Sequence, residues 1–435
     1  MTIKMRKFPV FLVVILLFLN TVNLWIASKS SLDIIWETPL RSASQILALL
    51  GIILMSLTIV LSAKIRLVDK ILNGLDKAYN IHRIAGSAAF ILLLNHPLLL
   101  VVQALPQAKL ALTYLFPSSS FAYNLGIFGI YLMVLAFVCM FFIRLPYDIW
   151  KLTHKLLGPA FLLGGIHALL IGSDVSNFLP LRIWIGFFIA IGAISAIYSL
   201  FLFRRLGQKF FYRIARIERS TDVVTIYLKP QGAKTISYFP GQFVYVEFKN
   251  KKVGSQLHPF SIASSNREES MEICVKIAGD YSLKLFHFLQ EGDEGVVYGP
   301  YGQFTKNFEK FGNCLWIAGG IGVTPFLSML SAEAEKHSDR PVYFYYTYSK
   351  KEEGVFLGQI YNLLTKASNV TFFDWCTKEK SRLTVEVIGN YLDVHTLDGI
   401  FLCGPSFMME EFKKQFVDSG IPEQKIFYEN FSFIS

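Results

Sequence analysis

Apolar and polar positions divide the chain into two unlike halves. Over the first 205 residues, uninterrupted apolar stretches recur at about 8–27, 42–63, 84–102, 122–143, 156–172 and 181–203. Each is roughly 18–25 residues long, and about 20 apolar residues in a helix cross a hydrocarbon core of about 30 Å. The pattern predicts a membrane bundle of six helices. After Arg205 the period shortens. β-rich runs at 210–218, 223–229, 243–249, 259–264, 271–277 and 295–298, with turns between them, predict a small antiparallel β-barrel. From about 312 the order becomes strand, Gly-rich turn, helix, strand, which predicts a parallel α/β domain. The expected domains are residues 1–205, 206–308 and 309–435.

Charge orients the spans. Lys4, Arg6 and Lys7 precede the first, and Lys64, Arg66, Lys70, Lys77 and Arg83 fill the second loop. Arg144, Lys151 and Lys155 occupy the fourth loop, and Arg204, Arg205, Lys209 and Arg213 follow the sixth span. The alternate loops carry only Lys29 and Arg41 against Asp33 and Glu37, then Lys109, then Asp174 and Arg182. Basic residues gather on the cytoplasmic side, so both termini are expected in the cytosol and the spans in the cell membrane. The first span also has the basic start of a cleaved leader. It runs longer than a usual leader core, without an obvious small-x-small site, and the second span enters from outside in either case.

Composition narrows the function. Only 17% of residues are charged, against about 25% in an ordinary soluble domain. The net charge of +10 lies wholly in the apolar half, which holds 17 Lys/Arg and 6 Asp/Glu, while the remainder holds 25 and 26. A nucleic-acid binder would carry a basic face on its soluble part, and none is evident. Five cysteines without a CxxC pair form neither a disulfide framework nor a zinc site, and suit reducing surroundings.

Four of the eight histidines fall on two spans: His82 and His96 on the third, His154 and His167 on the fifth. Imidazole in lipid is costly and marks a site facing the bundle interior. Fourteen residues are nearly four helical turns, so His82 and His96 share a face about 21 Å apart. Thirteen residues leave His154 and His167 out of phase, unless Gly158-Pro159 introduces a kink or a tightened turn. The two spans run in the same direction, so His82 pairs in depth with His154 and His96 with His167. Two cross-helix pairs suit two b-type haems, each with two axial imidazoles. Four separately hydrogen-bonded packing histidines are the alternative. Zinc fits poorly, because each level supplies only two nitrogens. Phe161, one heptad after His154, is a candidate for the space between the levels or simply for packing.

In the second half, Pro240-Gly241-Gln242 precedes His258-Pro259-Phe260-Ser261. A buried-strand pattern then runs into Gly319-Gly320-Ile321-Gly322-Val323-Thr324-Pro325, and Cys403-Gly404-Pro405 ends another strand. In this order, after the 14/13 histidine spacing, these motifs resemble the NADPH oxidase/ferric reductase superfamily, in its compact bacterial form. The resemblance covers nearly the whole chain. It implies a bis-haem membrane domain joined to a ferredoxin-reductase-like module that binds FAD and NADPH.

The residues bear their own reading beside it. Pro259 fixes the backbone, Phe260 offers a ring beside the isoalloxazine, and Ser261 a hydroxyl for its N5 edge; Tyr245 is expected beside them. The tetrapeptide also reads as an ordinary strand entry. Lys276, and Ser282 at the start of a helix-like LKLFHFL run, suit a pyrophosphate or a capped surface helix. Gly319, Gly320 and Gly322 allow close backbone approach, with Thr324 as N-cap and Pro325 as the first helical residue. Ser349 and Lys350, where an NAD site tends to place an acid, suit a 2′-phosphate and hence NADPH, with NADH possible and a solvated charge run as the alternative. By resemblance, Cys403 lies near the nicotinamide, and Phe431, or else Phe433, covers the flavin.

The activity these features imply is transmembrane electron transfer from cytosolic NADPH to an outer acceptor. Dioxygen, giving superoxide, is the first choice; a ferric or other metal chelate is the second. An electron-donor subunit serving an extracytoplasmic protein is the third. Arg41, near the outer end of the second span, suits an anion, a haem propionate or the interface.

Overall fold

The computed structural model describes residues 10–305, 308–336 and 338–429. The chain divides into two compact units: Met1–Ile65 with Tyr79–Leu206, and Arg66–Ala78 with Gly207–Ser435. Lys4, Arg6, Lys7, Phe431 and Phe433 lie outside the described residues.

The first unit is helical: α1 Val10–Ala27, α2 Pro39–Ser62, α3 Leu75–Ala104, α4 Phe121–Phe141, α5 Tyr147–Lys155, α6 Leu157–Leu170 and α7 Leu179–Ile197, with short helices between them. Five of the described helices are long and apolar enough to cross a membrane: α1, α2, α3, α4, and α7 with its continuation to Leu206. The predicted span at 156–172 differs. It forms the 14-residue α6, separated from α5 by the single residue Leu156. Pro159 removes a donor from the first turn of α6, and the Leu156 N–H bonds back three residues to the Thr153 carbonyl at 3.1 Å. This is the tightened turn that the 13-residue histidine spacing needs. Helix α3 starts nine residues before the expected 84, which places His82 well inside it.

Core residues of this unit come from several helices, among them Ile53 and Met55 of α2, Met133 of α4, Phe161 of α6 and Ile185 and Phe188 of α7. Ile84, Ile91, Leu98 and Val102 of α3 form an exposed apolar stripe, the reverse of a soluble helix and fitting for one facing lipid. With lipid as apolar as leucine, helix approach depends on small residues. A Cβ on Gly192 would lie 2.6 Å from the Phe161 ring.

In the second unit, strands β1 Lys209–Arg219, β2 Val223–Pro230, β3 Phe243–Phe248, β4 Leu257–Ser261, β5 Met271–Lys276 and β6 Glu294–Tyr301 form an antiparallel sheet, order β4-β3-β6-β1-β2-β5. An Ile262–Ile273 bridge joins the two ends, making a barrel filled by Ile226, Leu228, Val246, Phe248 and Ile273. Strands β7 Cys314–Gly319, β8 Val342–Tyr348, β9 Val370–Cys376, β10 Gly399–Cys403 and β11 Ile426–Tyr428 form a parallel sheet, order β11-β10-β7-β8-β9. Its first strand, β7, is buried along its whole length, as a strand covered on both faces must be. The segment Arg66–Ala78 belongs to this unit. There Asp69 accepts from Gln303 Nε2 at 2.8 Å and Arg66 donates to the Gly299 carbonyl.

Candidate functional site

The four membrane imidazoles meet as two pairs. His82 of α3 and His154 of α5 have ring centroids 5.8 Å apart, and His96 of α3 and His167 of α6 6.4 Å apart. Two imidazole nitrogens each about 2 Å from one metal ion would place ring centroids roughly 6 Å apart, so both spacings fit a single ion between the rings.

The outer contacts of each ring decide which nitrogen is available. His82 Nδ1 lies 2.9 Å from the Thr58 carbonyl, and His167 Nδ1 2.7 Å from that of Ala122. His96 Nδ1 is 3.1 Å from the Ser44 carbonyl and 2.8 Å from Ser44 Oγ. A carbonyl only accepts, so in these three rings Nδ1 carries the proton and Nε2 keeps its lone pair. This is the tautomer that orients a metal-binding histidine. His154 differs: its Nδ1 faces Met140 Sδ at 2.9 Å, and its ring stacks on Trp150 at 5.5 Å. No group of three or more His, Cys, Asp or Glu suited to a metal occurs among the described residues. Paired imidazoles, two nitrogens per level, suit an ion whose remaining ligands belong to a porphyrin.

A cavity with about 1590 Å³ of empty space, counting its open side, surrounds the His96–His167 pair. Arg41, Tyr114, Tyr123 and Phe161 line it, together with Gly126, Gly129, Gly164 and Gly165. A Cβ on Gly126 would meet the His167 ring at 2.9–3.0 Å. That glycine, inside an apolar stretch, makes room for the imidazole. Nothing in the spacing analysis identified it, although a glycine within a membrane span is a packing signal. Phe161 is buried in the core as well as lining this cavity.

On the barrel, Tyr245 of β3 stands opposite Pro259 of β4, Val246 opposite His258, Val244 opposite Phe260 and Phe243 opposite Ser261. The Tyr245 ring is buried, edge-on to Tyr301 at 5.5 Å. His258 stacks on Tyr281 at 3.7 Å and shares a 2.9 Å hydrogen bond with Gln256. Tyr281 lies in the first turn of the helix Asp280–Phe288, where Ser282 Oγ accepts from the Ala278 and Gly279 N–H groups at 2.8 and 3.0 Å. Lys276 is engaged by Asp222 at 3.2 Å, so a phosphate there would compete with a carboxylate.

The parallel sheet reverses its strand order between β7 and β10: β8 and β9 lie on one side of β7, β10 and β11 on the other. Nucleotides bind at the carboxyl ends of strands at such a switch point. Both glycine turns lie there. A Cβ on Gly322 would lie 2.5 Å from the Cys403 carbonyl oxygen and 2.6 Å from Gly404 Cα, and one on Gly319 would strike Met408 and Pro405. Gly320 has φ +54 and Gly404 φ +158, backbone that L side chains rarely adopt. The helix α8, Thr324–Lys336, corrects one expectation. Thr324 is not its N-cap, because a 3₁₀ turn at Gly320–Val323 runs directly into the helix; Thr324 is itself helical, and its hydroxyl donates to the Ile321 carbonyl at 3.1 Å. Pro325 is therefore the second helical residue.

Beyond β8, the Ser349 N–H donates to Glu353 at 3.3 Å, and Lys351 pairs with Glu379 at 2.8 Å. Lys350 extends between them in β conformation. Cys403 is 3% exposed, and burial, helped by the nearby Glu429 charge, pushes its thiol up. Glu429 is 2% exposed, and neither of its carboxylate oxygens has a hydrogen-bond partner among the described residues. Burial raises its pKa well above the usual value; Asp76 and Asp69 add to the rise, and Lys77 opposes it. An acid placed directly after the apolar strand Ile426–Tyr428 was the available signal for this residue.

Residues 47–165 match the family described as ferric reductase like transmembrane component, residues 212–333 the FAD-binding domain, and 316–414 the oxidoreductase NAD-binding domain. Flavohemoprotein A of Dictyostelium discoideum is 25% identical over 232 residues, covering 50% of this chain and 58% of that protein. The reductase component of propane 2-monooxygenase from Mycolicibacterium smegmatis is 28% identical over 231 residues, covering 49% and 65%. The chain thus spans about three fifths of the length of these relatives. Among solved structures, flavohemoglobin from Malassezia yamatoensis with bound FAD and heme is similar in fold, with a TM-score of 0.52 at 19% identity over 91% of this chain and 98% of that one. The FAD/NAD-binding domain of a Vibrio cholerae nitric oxide dioxygenase is 21% identical with a TM-score of 0.45, covering 51% of this chain and 98% of that one.

Proposed function

We propose that the chain, whose matched regions give it an NADPH oxidase/ferric reductase-like architecture, is an NAD(P)H-dependent oxidoreductase that conducts electrons across the cell membrane. They pass from cytosolic NADPH, through FAD and two b-type haems, to dioxygen on the outer side, with superoxide as product. Both termini then face the cytosol. We assign residues 1–205 to the haem domain, 206–308 to the FAD domain and 309–435 to the nucleotide domain. The observation that carries this reading is the pair of facing imidazole couples, with Nδ1 bonded to a backbone carbonyl in three of the four rings.

Bound FAD would accept a hydride and bound haems would supply one-electron chemistry, so the protein's share is placement and tuning. His82 and His154 would hold the inner haem. His96 and His167 together would hold the outer haem, which would supply one-electron chemistry there. Tyr245, His258, Pro259, Phe260 and Ser261 would shape the flavin pocket, with Ser261 directed to the reacting edge. Lys276 and Ser282 would serve the pyrophosphate. Gly319, Gly320, Gly322, Thr324, Pro325, Gly404 and Pro405 would let the nucleotide approach the backbone, and Ser349 and Lys350 would receive a 2′-phosphate. Cys403, kept as a neutral thiol by burial, would lie against the nicotinamide without competing as an anion, and Phe431 would cover the flavin.

Purified protein given NADPH should reduce cytochrome c in a reaction abolished by superoxide dismutase. A dismutase-insensitive rate, together with rapid reduction of a ferric chelate under argon, would instead identify a metal-chelate reductase.

A further inference from the structure

The outer imidazole pair shares its cavity with a polar group of another kind. Lys29, on the turn after α1, places Nζ 2.7 Å from Asp174 Oδ2 and 2.9 Å from Gln45 Oε1. The same ammonium lies 4.4 Å from the Trp25 ring centroid, and Trp25 Nε1 donates to Gln45 Oε1 at 3.3 Å. The lysine side chain is 7% exposed and the aspartate 21%. Trp25, Gln45 and Asp174 line the cavity beside His96 and His167. One ion pair therefore ties the turn after α1, the second turn of α2 and the turn after α6 together at the cavity wall.

Withdrawing two charges from water costs more than a simple connection between helices requires, and only close, fully bonded geometry offsets it. The surroundings supply that geometry. Ser173 donates its N–H to Ser176 Oγ at 2.9 Å, shaping the turn that presents Asp174, and Asp174 follows His167 by seven residues. The pair is neutral as a unit, so it offers a polyanionic acceptor no net attraction. By joining segments 145 residues apart in the chain, it fixes the spacing of those segments beside the cavity.

We propose that Lys29 and Asp174 form a clasp that sets the size of the electron acceptor, admitting small molecules such as dioxygen and keeping bulky anionic chelates away from the outer site. This rests on the reading of His96 and His167 as the electron exit. Lys29 and Asp174 are positioning residues here, acting through the cavity wall.

The test uses the full chain in lipid nanodiscs with NADPH, comparing dismutase-sensitive reduction of dioxygen with reduction of ferric EDTA under argon. Lys29→Met and Asp174→Asn should each raise the ferric EDTA to dioxygen ratio of kcat/KM at least about five-fold, with haem per chain and NADPH-to-dye reduction unchanged. The reversed pair, Lys29→Asp with Asp174→Lys, should return the ratio toward that of the unaltered protein. Should a single variant not fold, the neutral pair Lys29→Met/Asp174→Leu removes the clasp without stranding a charge, and it should show the same rise. An unchanged ratio in Asp174→Asn and in the neutral pair, with haem retained, overturns the clasp and leaves the exit reading standing. If the unaltered protein reduces neither acceptor while still reducing dyes, the exit reading fails and the clasp with it.

Discussion

In the membrane unit the proposed chemistry rests on four side chains, each fixed by its own contact: Thr58, Ser44 and Ala122 carbonyls for three of the imidazoles, and Met140 for the fourth. In the C-terminal unit it rests on backbone instead. The turns at Gly319–Gly322 and Cys403–Gly404 approach so closely that a single added methyl group would collide with main-chain atoms. The difference follows from the solvent. In lipid every backbone group is already committed to its helix, so only side chains can project as ligands. At the carboxyl ends of a parallel sheet, main-chain groups remain open and glycine exposes them. Damage to one unit should therefore remove a cofactor, and damage to the other should weaken nucleotide use.

The largest separation is expected from His96→Ala. The outer haem should be lost and acceptor reduction should fall at least about 100-fold, while NADPH-to-dye reduction persists; loss of both activities together would erase the contrast between the units. Gly322→Ala is its counterpart. Overpacking against the Cys403 carbonyl costs about 1–3 kcal/mol, so kcat/KM for NADPH in dye reduction should fall about ten-fold or more, with both haems retained in the spectrum.

A smaller effect is expected from Ser44→Ala, which removes the hydroxyl but keeps the carbonyl beside His96 Nδ1. Loss of a partner outside a metal ligand typically costs 10–100-fold in affinity, and the remaining carbonyl should hold the change near or below the lower bound, measured as haem retained after dilution. The mildest is Glu429→Gln. The raised pKa of Glu429 means that its proton stays bound in the folded protein, so the stability it contributes is present below about pH 4.5 and lost as pH rises above that value. The Gln variant should gain thermal stability relative to the unaltered protein between pH 4.5 and pH 8; a pH-independent difference between the two would argue against a buried protonated acid.

Much of this organisation was legible in the chain. Length and apolarity mark the spans, and the 14-residue interval places His82 and His96 on one face without reference to any partner. The strands of the barrel and of the parallel sheet follow from β-rich runs and turn residues. Other features depend on tertiary contacts that periodicity does not carry. The break at Leu156 leaves the expected span at 156–172 as the short α6 and puts His154 on the separate helix α5, because a tightened turn and Pro159 interrupt the helix. Thr324 resembles an N-cap in sequence, yet the 3₁₀ turn before it makes the helix continuous. Gly126 matters only because His167 lies across from it. Lys276 suits a phosphate by position, but Asp222 stands within 3.2 Å. Lys29 and Asp174 read as loop charges on separate connections until the fold joins them.

The most direct measurement is a reduced-minus-oxidised spectrum of the purified, haem-supplemented chain, with haem and flavin quantified per polypeptide. Two b-type haems for each FAD are expected, one from each imidazole pair. A ratio of one haem or none, with the chain folded and its flavin bound, would contradict the assignment of His82, His96, His154 and His167 as axial ligands.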